Sequence, residues 1–260
     1  MPIYPQLGSG ALSQFPVQKI RRARTVVNQA ADGSTIKLAD PLGAVTEWDL
    51  TYTDLSDAEA SALLAFYAAV EGTLTGFTFL DPAGNLLAAS DDLNQAAWQK
   101  DPLLSLTASV SDPLGGKLAW RLSNSGGAEQ ALGQTLEAPG GYLYCLSAYV
   151  RAATASSVGL TIGGQGTQRA VTSEWTRIVW TSSGDAQATS VRFAIEISAG
   201  AAVEVYGLQV EAQAAASGYK ASVRGGVYED AHLGADVLTI TSTDVDRHSC
   251  KVKVVYANHL

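Results

Sequence analysis

The chain has 260 residues, 47% of them hydrophobic and 16% charged, with a formal net charge of −8. That balance is too apolar for disorder, and the length allows two modest cores, since domains commonly run about 100–150 residues. An acidic chain with one short basic run is not built to hold nucleic acid, and no stretch approaches the roughly 18 uninterrupted apolar residues of a membrane span.

The N-terminus, Met1-Pro2-Ile3-Tyr4-Pro5, lacks the basic and apolar regions of a signal peptide, so export by that route is not expected. Residues 1–45 hold Pro2, Pro5, Pro16 and Pro41, an Asp32-Gly33 turn signal and short β-like runs at Thr25–Val27 and Thr35–Leu38. These features predict an extended arm followed by a hairpin. The basic run Lys19-Ile20-Arg21-Arg22-Ala23-Arg24 is either a solvated strand edge or a contact for an acidic neighbouring subunit. From Thr46 to Thr53 the pattern alternates, with Trp48, Leu50 and Tyr52 facing one way and Glu47, Asp49 and Thr51 the other.

Ser56-Asp57-Ala58-Glu59 is a capping box that opens a helix over 56–71. Its apolar face carries Leu63, Leu64, Phe66, Tyr67 and Val70, and Gly72 stops it. Leu63, Phe66 and Tyr67 are expected to pack on the strand of Trp48, Leu50 and Tyr52. A strand from Phe77 to Leu80 follows, ending at Asp81-Pro82.

Beyond that point the texture changes to short strands rich in Ala, Ser, Thr and Gly. The runs are Lys117–Asn124, Tyr142–Arg151, Val158–Ile162, Thr176–Thr181, Val191–Ser198 and Ala202–Glu211. Such spacing predicts a sandwich or jelly roll. Residues 82–85 make a natural exit from the first domain and 212–222 a natural return, and Lys251–Tyr256 supplies one more alternating strand. The predicted fold is therefore mainly β. A discontinuous β-sandwich domain with one α-helix, residues 1–86 and 222–260, is interrupted by a jelly-roll β-sandwich over 87–221.

No catalytic motif stands out. His232, His248 and His259 lack a nucleophile context, and Gly163-Gly164-Gln165-Gly166 lacks the Lys of a phosphate loop and reads as a hairpin turn. Glycoside hydrolysis needs two facing carboxylates; Glu196 and Glu204 are conceivable, but nothing in the sequence brings them together. Cys145 and Cys250 fall in separate strand patterns and read as buried free thiols suited to a reducing cytoplasm. Neither a metal nor a cofactor is expected.

Alternation also predicts where a ligand would sit. Leu118, Trp120 and Leu122 point inward in one strand, Tyr144, Leu146, Ala148 and Val150 in a second, and Val191, Phe193, Ile195 and Ile197 in a third. Cys145, Ser147, Tyr149 and Arg151 then face outward, as do Arg121, Arg192 and Glu196. Tyr149 with Arg121, Arg151, Arg192 and Glu196 is the best sugar-binding set, an aromatic face beside charged groups, unless it is an ordinary polar sheet face. Three arginines against one carboxylate favour an acidic or heavily hydroxylated glycan. Trp98 is either a loop anchor or a rim contact of that site, and Trp120 and Trp180 are expected in the core.

Two family resemblances accompany these patterns. Trp48-x-Leu50-x-Tyr52, the Ser56-x-x-Glu59 helix, Gly72 and Gly76-Phe77-Thr78-Phe79-x-Asp81-Pro82 resemble the N-terminal domain of phage distal tail proteins. Val223-Arg224 through Lys251-Val252-Lys253-Val254 resembles the strands that close it. The middle resembles carbohydrate-binding-type jelly rolls carried by phage structural proteins, through Asn94-Gln95-Ala96-Ala97-Trp98-Gln99-Lys100, Leu146-Ser147-Ala148-Tyr149-Val150-Arg151, and Tyr206-Gly207-Leu208-Gln209-Val210-Glu211-Ala212 with Gly218-Tyr219.

The first resemblance implies a virion structural protein assembled in the host cytoplasm. It would form a ring, a hexamer, between tail tube and tail tip, with tail tube, tail hub and tape-measure proteins as partners. The second implies a sugar-binding ancestry and an outward module touching a host surface glycan. Ring contacts are expected between Arg21, Arg22 and Arg24 of the arm and acidic sheet-edge residues such as Glu47 and Asp49. A free-standing carbohydrate-binding protein is the alternative.

Overall fold

A computed structural model describes residues 1–257; the histidine singled out at position 259 lies outside them. In chain order the elements are β1 (Gln18–Gln29), β2 (Thr35–Leu55), α1 (Asp57–Val70), β3 (Phe77–Leu80), β4 (Gln99–Lys100), β5 (Leu104–Val110) and β6 (Ala119–Asn124). Then come β7 (Gln130–Leu136), β8 (Tyr144–Arg151), β9 (Ser156–Ile162), β10 (Gln165–Val171), β11 (Thr176–Ser182) and β12 (Val191–Ile197). The last are β13 (Ala202–Glu211), β14 (Val227–Leu233), β15 (Ile240–Asp244) and β16 (Arg247–Ala257). The protein is mainly β, with antiparallel sheets and one helix among the described residues.

The chain divides into two compact units. The first comprises Met1–Leu7, Ser13–Phe79 and the chain from Tyr228 onward; the second comprises Gly8–Leu12 and Leu80–Val227. Leu12, Leu80, Leu86 and Leu87 are all buried in the core of the second unit. Its entry and exit segments run side by side, with Asp81 N–H donating to the Gly226 carbonyl at 2.8 Å and Ala89 N–H to the Val223 carbonyl at 3.0 Å.

In the first unit the strand order is β1-β2-β16-β14-β3, with β15 paired to β16. The short β-like runs of residues 25–38 are pieces of one long hairpin. Asp32 Oδ1 accepts from Ser34 N–H at 2.9 Å in its turn, and a register shift between Arg22 and Arg24 absorbs Pro41. Trp48, Leu50 and Tyr52 are buried together with Leu63 and Phe66 of α1. The Trp48 and Phe79 rings meet edge-on at 5.0 Å, and Phe66 and Phe77 at 4.9 Å. The capping box forms as expected, Ser56 Oγ accepting from Glu59 N–H and Glu59 Oε2 from Ser56 N–H. The arm covers the edge of β3, where Tyr4 N–H donates to the Thr78 carbonyl at 3.1 Å. The far end of the hairpin has no such cover: Val27, Ile36, Leu38 and Leu42 are each more than half exposed.

The second unit is a jelly-roll sandwich of two five-stranded sheets, β10-β9-β12-β7-β4 and β11-β8-β13-β6-β5. Tyr144, Leu146, Ala148 and Val150 of β8 share one buried cluster with Val191, Phe193, Ile195 and Ile197 of β12. Across the sandwich the Tyr144 and Phe193 rings meet edge-on at 5.1 Å. Gly163 and Gly164, both at positive φ, turn β9 into β10, the hairpin expected there. Two face assignments change. Leu118 does not point inward: β6 begins at Ala119, so Leu118 belongs to the preceding turn and is 51% exposed. Cys145 and Ser147 lie on the face away from the core, yet both are fully buried, because another segment covers them.

Candidate functional site

The site lies on the outer face of the sheet β11-β8-β13-β6-β5, and its layout follows from strand register. Arg151, Glu204 and Arg121 are direct cross-strand partners on β8, β13 and β6. Two residues along, Arg177, Tyr149 and Tyr206 form a parallel row on β11, β8 and β13. Side chains two residues apart share a face, so both rows look outward.

In the first row two guanidiniums share one carboxylate, leaving one positive charge in excess. Arg121 Nη2 donates to Glu204 Oε1 at 2.5 Å and Arg151 Nε to Glu204 Oε2 at 2.6 Å. Burial pushes the Glu204 carboxyl up, but the two guanidiniums more than offset this and hold it below the ordinary carboxylate value. The Arg151 guanidinium also stacks 4.7 Å from the Trp175 ring centroid.

In the second row Arg177 is tied down. Its Nη1 donates to the Ser217 carbonyl at 2.5 Å, its Nη2 to Ser147 Oγ at 2.9 Å, and its guanidinium lies 5.4 Å from the Tyr149 ring centroid. Ser217 belongs to the strap, residues 212–220, that buries Cys145 and Ser147. The strap is held by polar groups. Glu211, 3% exposed, accepts from Gln209 Nε2 at 2.8 Å and from Ser217 N–H at 2.9 Å, and Gln209 Oε1 accepts from Lys220 N–H at 2.7 Å. Burial beneath it pushes the Cys145 thiol up.

Where the strap ends, a cavity of about 360 Å³ opens, lined by Asp91, Leu114, Leu118, Tyr149, Tyr206, Tyr219 and Ala221. Tyr206 is nearly buried and meets Tyr149 at 6.0 Å and Tyr219 at 5.2 Å between ring centroids. Tyr219 is fixed at both ends. Its hydroxyl donates to Asp91 Oδ1 at 2.5 Å, and its ring packs on Gly207, where a Cβ would come within 3.1 Å of the ring. Gly207 has φ +65° and sits in the bulge between Tyr206 and Gln209, so only glycine suits both the conformation and the space. Burial raises the Tyr219 phenol, and its bond to Asp91 adds to the effect.

Leu114 and Leu118 reach the rim on a stiff turn. Asp112 accepts from the backbone N–H groups of Leu114 at 2.8 Å, Gly116 at 3.0 Å and Leu118 at 3.0 Å. Those bonds, with that from Leu118 the strongest, hold the Asp112 carboxyl below its ordinary value.

The structure thus brings Tyr149, Arg121 and Arg151 together and separates the rest of the expected set. Arg192 and Glu196 belong to β12, in the other sheet. Burial, then the nearby Glu129 carboxylate, raises the Glu196 carboxyl. Glu196 and Glu204 therefore do not form a facing carboxylate pair. Trp98 is no rim contact: it is 8% exposed in the core, and its Nε1 donates to the Ala89 carbonyl at 3.0 Å. Trp120 is in the core as expected, and Trp180 packs partly buried against it.

Of the residues expected at ring contacts, Arg22 and Glu47 pair within the chain, while Arg24 and Asp49 take other partners. Arg22 Nε lies 2.7 Å from Glu47 Oε1, Arg24 Nε 3.3 Å from Asp40, and Lys253 Nζ 3.2 Å from both Glu47 and Asp49. The cause is register, since β1 lies beside the half of β2 that carries Glu47 and Asp49. Arg21 is exposed. His248 bridges Asp57 Oδ1, at 2.6 Å from Nε2, and Ser242 Oγ, at 2.9 Å from Nδ1, and so ties the β15–β16 hairpin to the first turn of α1.

Among the described residues no cluster of three or more His, Cys, Asp or Glu side chains is arranged to hold a metal ion. No protein-family model and no curated protein matches the sequence. Among solved structures, the chain is similar to the C-terminal family 22 carbohydrate-binding module of Clostridium thermocellum Xyn10B at 12% identity and a TM-score of 0.42, covering 54% of this chain and 99% of that one. It is similar to the CBM22-1 xylan-binding domain of Paenibacillus barcinonensis Xyn10C at 15% identity and a TM-score of 0.40, over 51% of this chain and 98% of that one. Tailspike protein 4 of bacteriophage CBA120 gives 12% identity and a TM-score of 0.37, over 51% of this chain and 22% of that one. Similarity at this level assigns neither a family nor a ligand.

Proposed function

We propose that this chain is a non-catalytic assembly and binding protein of a phage tail end, of distal-tail type. The first unit would join copies into a ring between tail tube and tail tip, and the sandwich would offer its tyrosine pocket to a host surface glycan. One observation carries the assembly reading: the far half of the β1–β2 hairpin exposes Val27, Ile36, Leu38 and Leu42 by 52–57% each. Register places Ile36 opposite Asn28 and Leu38 opposite Val26, so Val26, Ile36 and Leu38 share a face, with Val27, opposite Lys37, on the other. An exposed apolar face on a long hairpin suits a partner surface.

The basic and acidic residues at the hairpin base neutralise one another within the chain, so contacts between copies would be led by the apolar end. A head-to-tail contact of this kind closes into a ring when its rotation permits. The resemblance to distal tail proteins supplies the expected number, six, the expected partners (tail tube, tail hub and tape-measure proteins), and the place, the virion tail.

The test is mass by light scattering and negative-stain imaging, with and without the tail tube and hub proteins. Wild type should form rings with those partners, and Ile36→Asp with Leu38→Asp should stay folded and fail to do so. Rings formed equally well by the double variant would remove the hairpin from the interface. A free-standing carbohydrate-binding protein is the second reading, favoured by the pocket alone; it requires a monomer in every mixture.

A further inference from the structure

We infer that the tyrosine pocket accepts uncharged glycans and rejects acidic ones; this rests on reading the sandwich as a glycan-binding module. Composition points the other way, since three arginines among the outward residues favour an acid. The geometry keeps all three out of the cavity lining. Arg192 lies on the other sheet, while Arg121 and Arg151 share the Glu204 carboxylate at 2.5 and 2.6 Å. Arg177, beside Tyr149, spends two nitrogens on Ser217 and Ser147 and is not part of the cavity lining.

What remains in the lining is one carboxylate and no basic side chain. Asp91 is positioned through its backbone carbonyl, which accepts from Trp120 Nε1 at 3.1 Å, and through Oδ1, which holds the Tyr219 hydroxyl. An anionic sugar entering here would meet the like charge of the Asp91 carboxylate in a partly desolvated recess. An uncharged sugar would meet a partly buried Tyr149 ring for its C–H face, two leucines as apolar walls, and Asp91 as acceptor for a hydroxyl. The volume sits at the small end of ligand pockets, which run roughly 300–1,000 Å³, so a single terminal or side-branch residue is the expected occupant.

The test is affinity electrophoresis and calorimetry of the full chain against a panel of neutral oligosaccharides, a polyuronate and a sialylated oligosaccharide, at low and physiological salt. A neutral ligand should bind at least about tenfold more tightly than any acidic one. Tyr149→Ala should lose that binding by about tenfold or more. Asp91→Asn should keep the neutral ligand and narrow the gap to the acidic ones. Glu204→Gln should gain acidic binding that fades as salt is raised, because two guanidiniums are released. Tighter binding of an acidic glycan by wild type would overturn the charge selectivity and leave the glycan-binding module standing. Binding of nothing in the panel would overturn the module reading itself.

Discussion

The two units cover their sheets with different materials. In the first, α1 lays Leu63, Phe66 and Val70 over a sheet face built from Trp48, Leu50 and Tyr52, and the seal is apolar. In the second, the outer face of the β8–β13 sheet lies under a strap held by Gln209, Glu211, Ser217 and Arg177, and the seal is polar. An apolar cover gains from every methylene and is indifferent to direction, whereas a polar cover holds only where each donor finds its acceptor. Both covers stop short: beyond one stands the bare hairpin end, beyond the other the tyrosine pocket. Function is proposed where the covers stop.

The comparison can be broken from its apolar side. Leu63→Ala should lower the stability of the first unit by about 2–5 kcal/mol, with Phe193→Ala doing the same to the second by about 3–5 kcal/mol. Calorimetry should show each loss in a separate transition if the units melt independently. The polar side should yield less. Glu211→Ala removes the strap's anchor and should cost about 1–3 kcal/mol. Its sharper readout is Cys145, which should become reactive to a thiol reagent once the strap lifts. A thiol that stays unreactive would mean that the strap does not depend on Glu211.

Smaller effects refine the picture. Ser56→Ala should cost about 1 kcal/mol through the lost cap, read from thermal melts. Glu204→Gln should cost about 1 kcal/mol or less, since Arg121 is half exposed and solvent screens the pair. Its clearer signature is in pH. Glu204 and Asp112 are both held below their unfolded values, so their contribution is full above the ordinary carboxylate range and fades as pH falls through the folded values. Stability should therefore drop on the acid side, with a shallower slope in Glu204→Gln; identical slopes would take Glu204 out of the acid response.

Much of the fold was legible because its signals are local. Alternation located Trp48, Leu50 and Tyr52, and the capping box located α1, since both depend on neighbours within a few residues. The strands β4, β5, β7 and β10 escaped for local reasons too. Gln99–Lys100 is too short to show a period, Gly133 interrupts β7, and β10 is mostly exposed and polar. Leu118 was misplaced by extending the parity of Trp120 and Leu122 one step past the start of β6.

The site was less legible because its parts come from separate places. Tyr206 and Glu204 stand at alternating outward positions of a strand read correctly, so parity alone could have added them to Tyr149. Tyr219, Asp91 and Leu114 reach the pocket from the strap, the entry segment and a turn, and only topology brings those together. Pairing of charges was equally hidden. Three arginines counted in a sequence look like an anion site; Glu204 ties up two of them and neutralises one charge, and strand order removes the third.

The position of β16 bears on how the protein is made. It lies between β2 and β14 in the sheet order, and its codons follow those of the entire sandwich. Chains emerge from the ribosome at about 5–20 residues per second and fold domain by domain, so the sandwich has all its strands before the outer sheet can be completed. A chain interrupted anywhere within the sandwich lacks the strand on which the outer sheet closes. Translation order would in that way act as a quality check, admitting to assembly only chains whose binding module has already been synthesised.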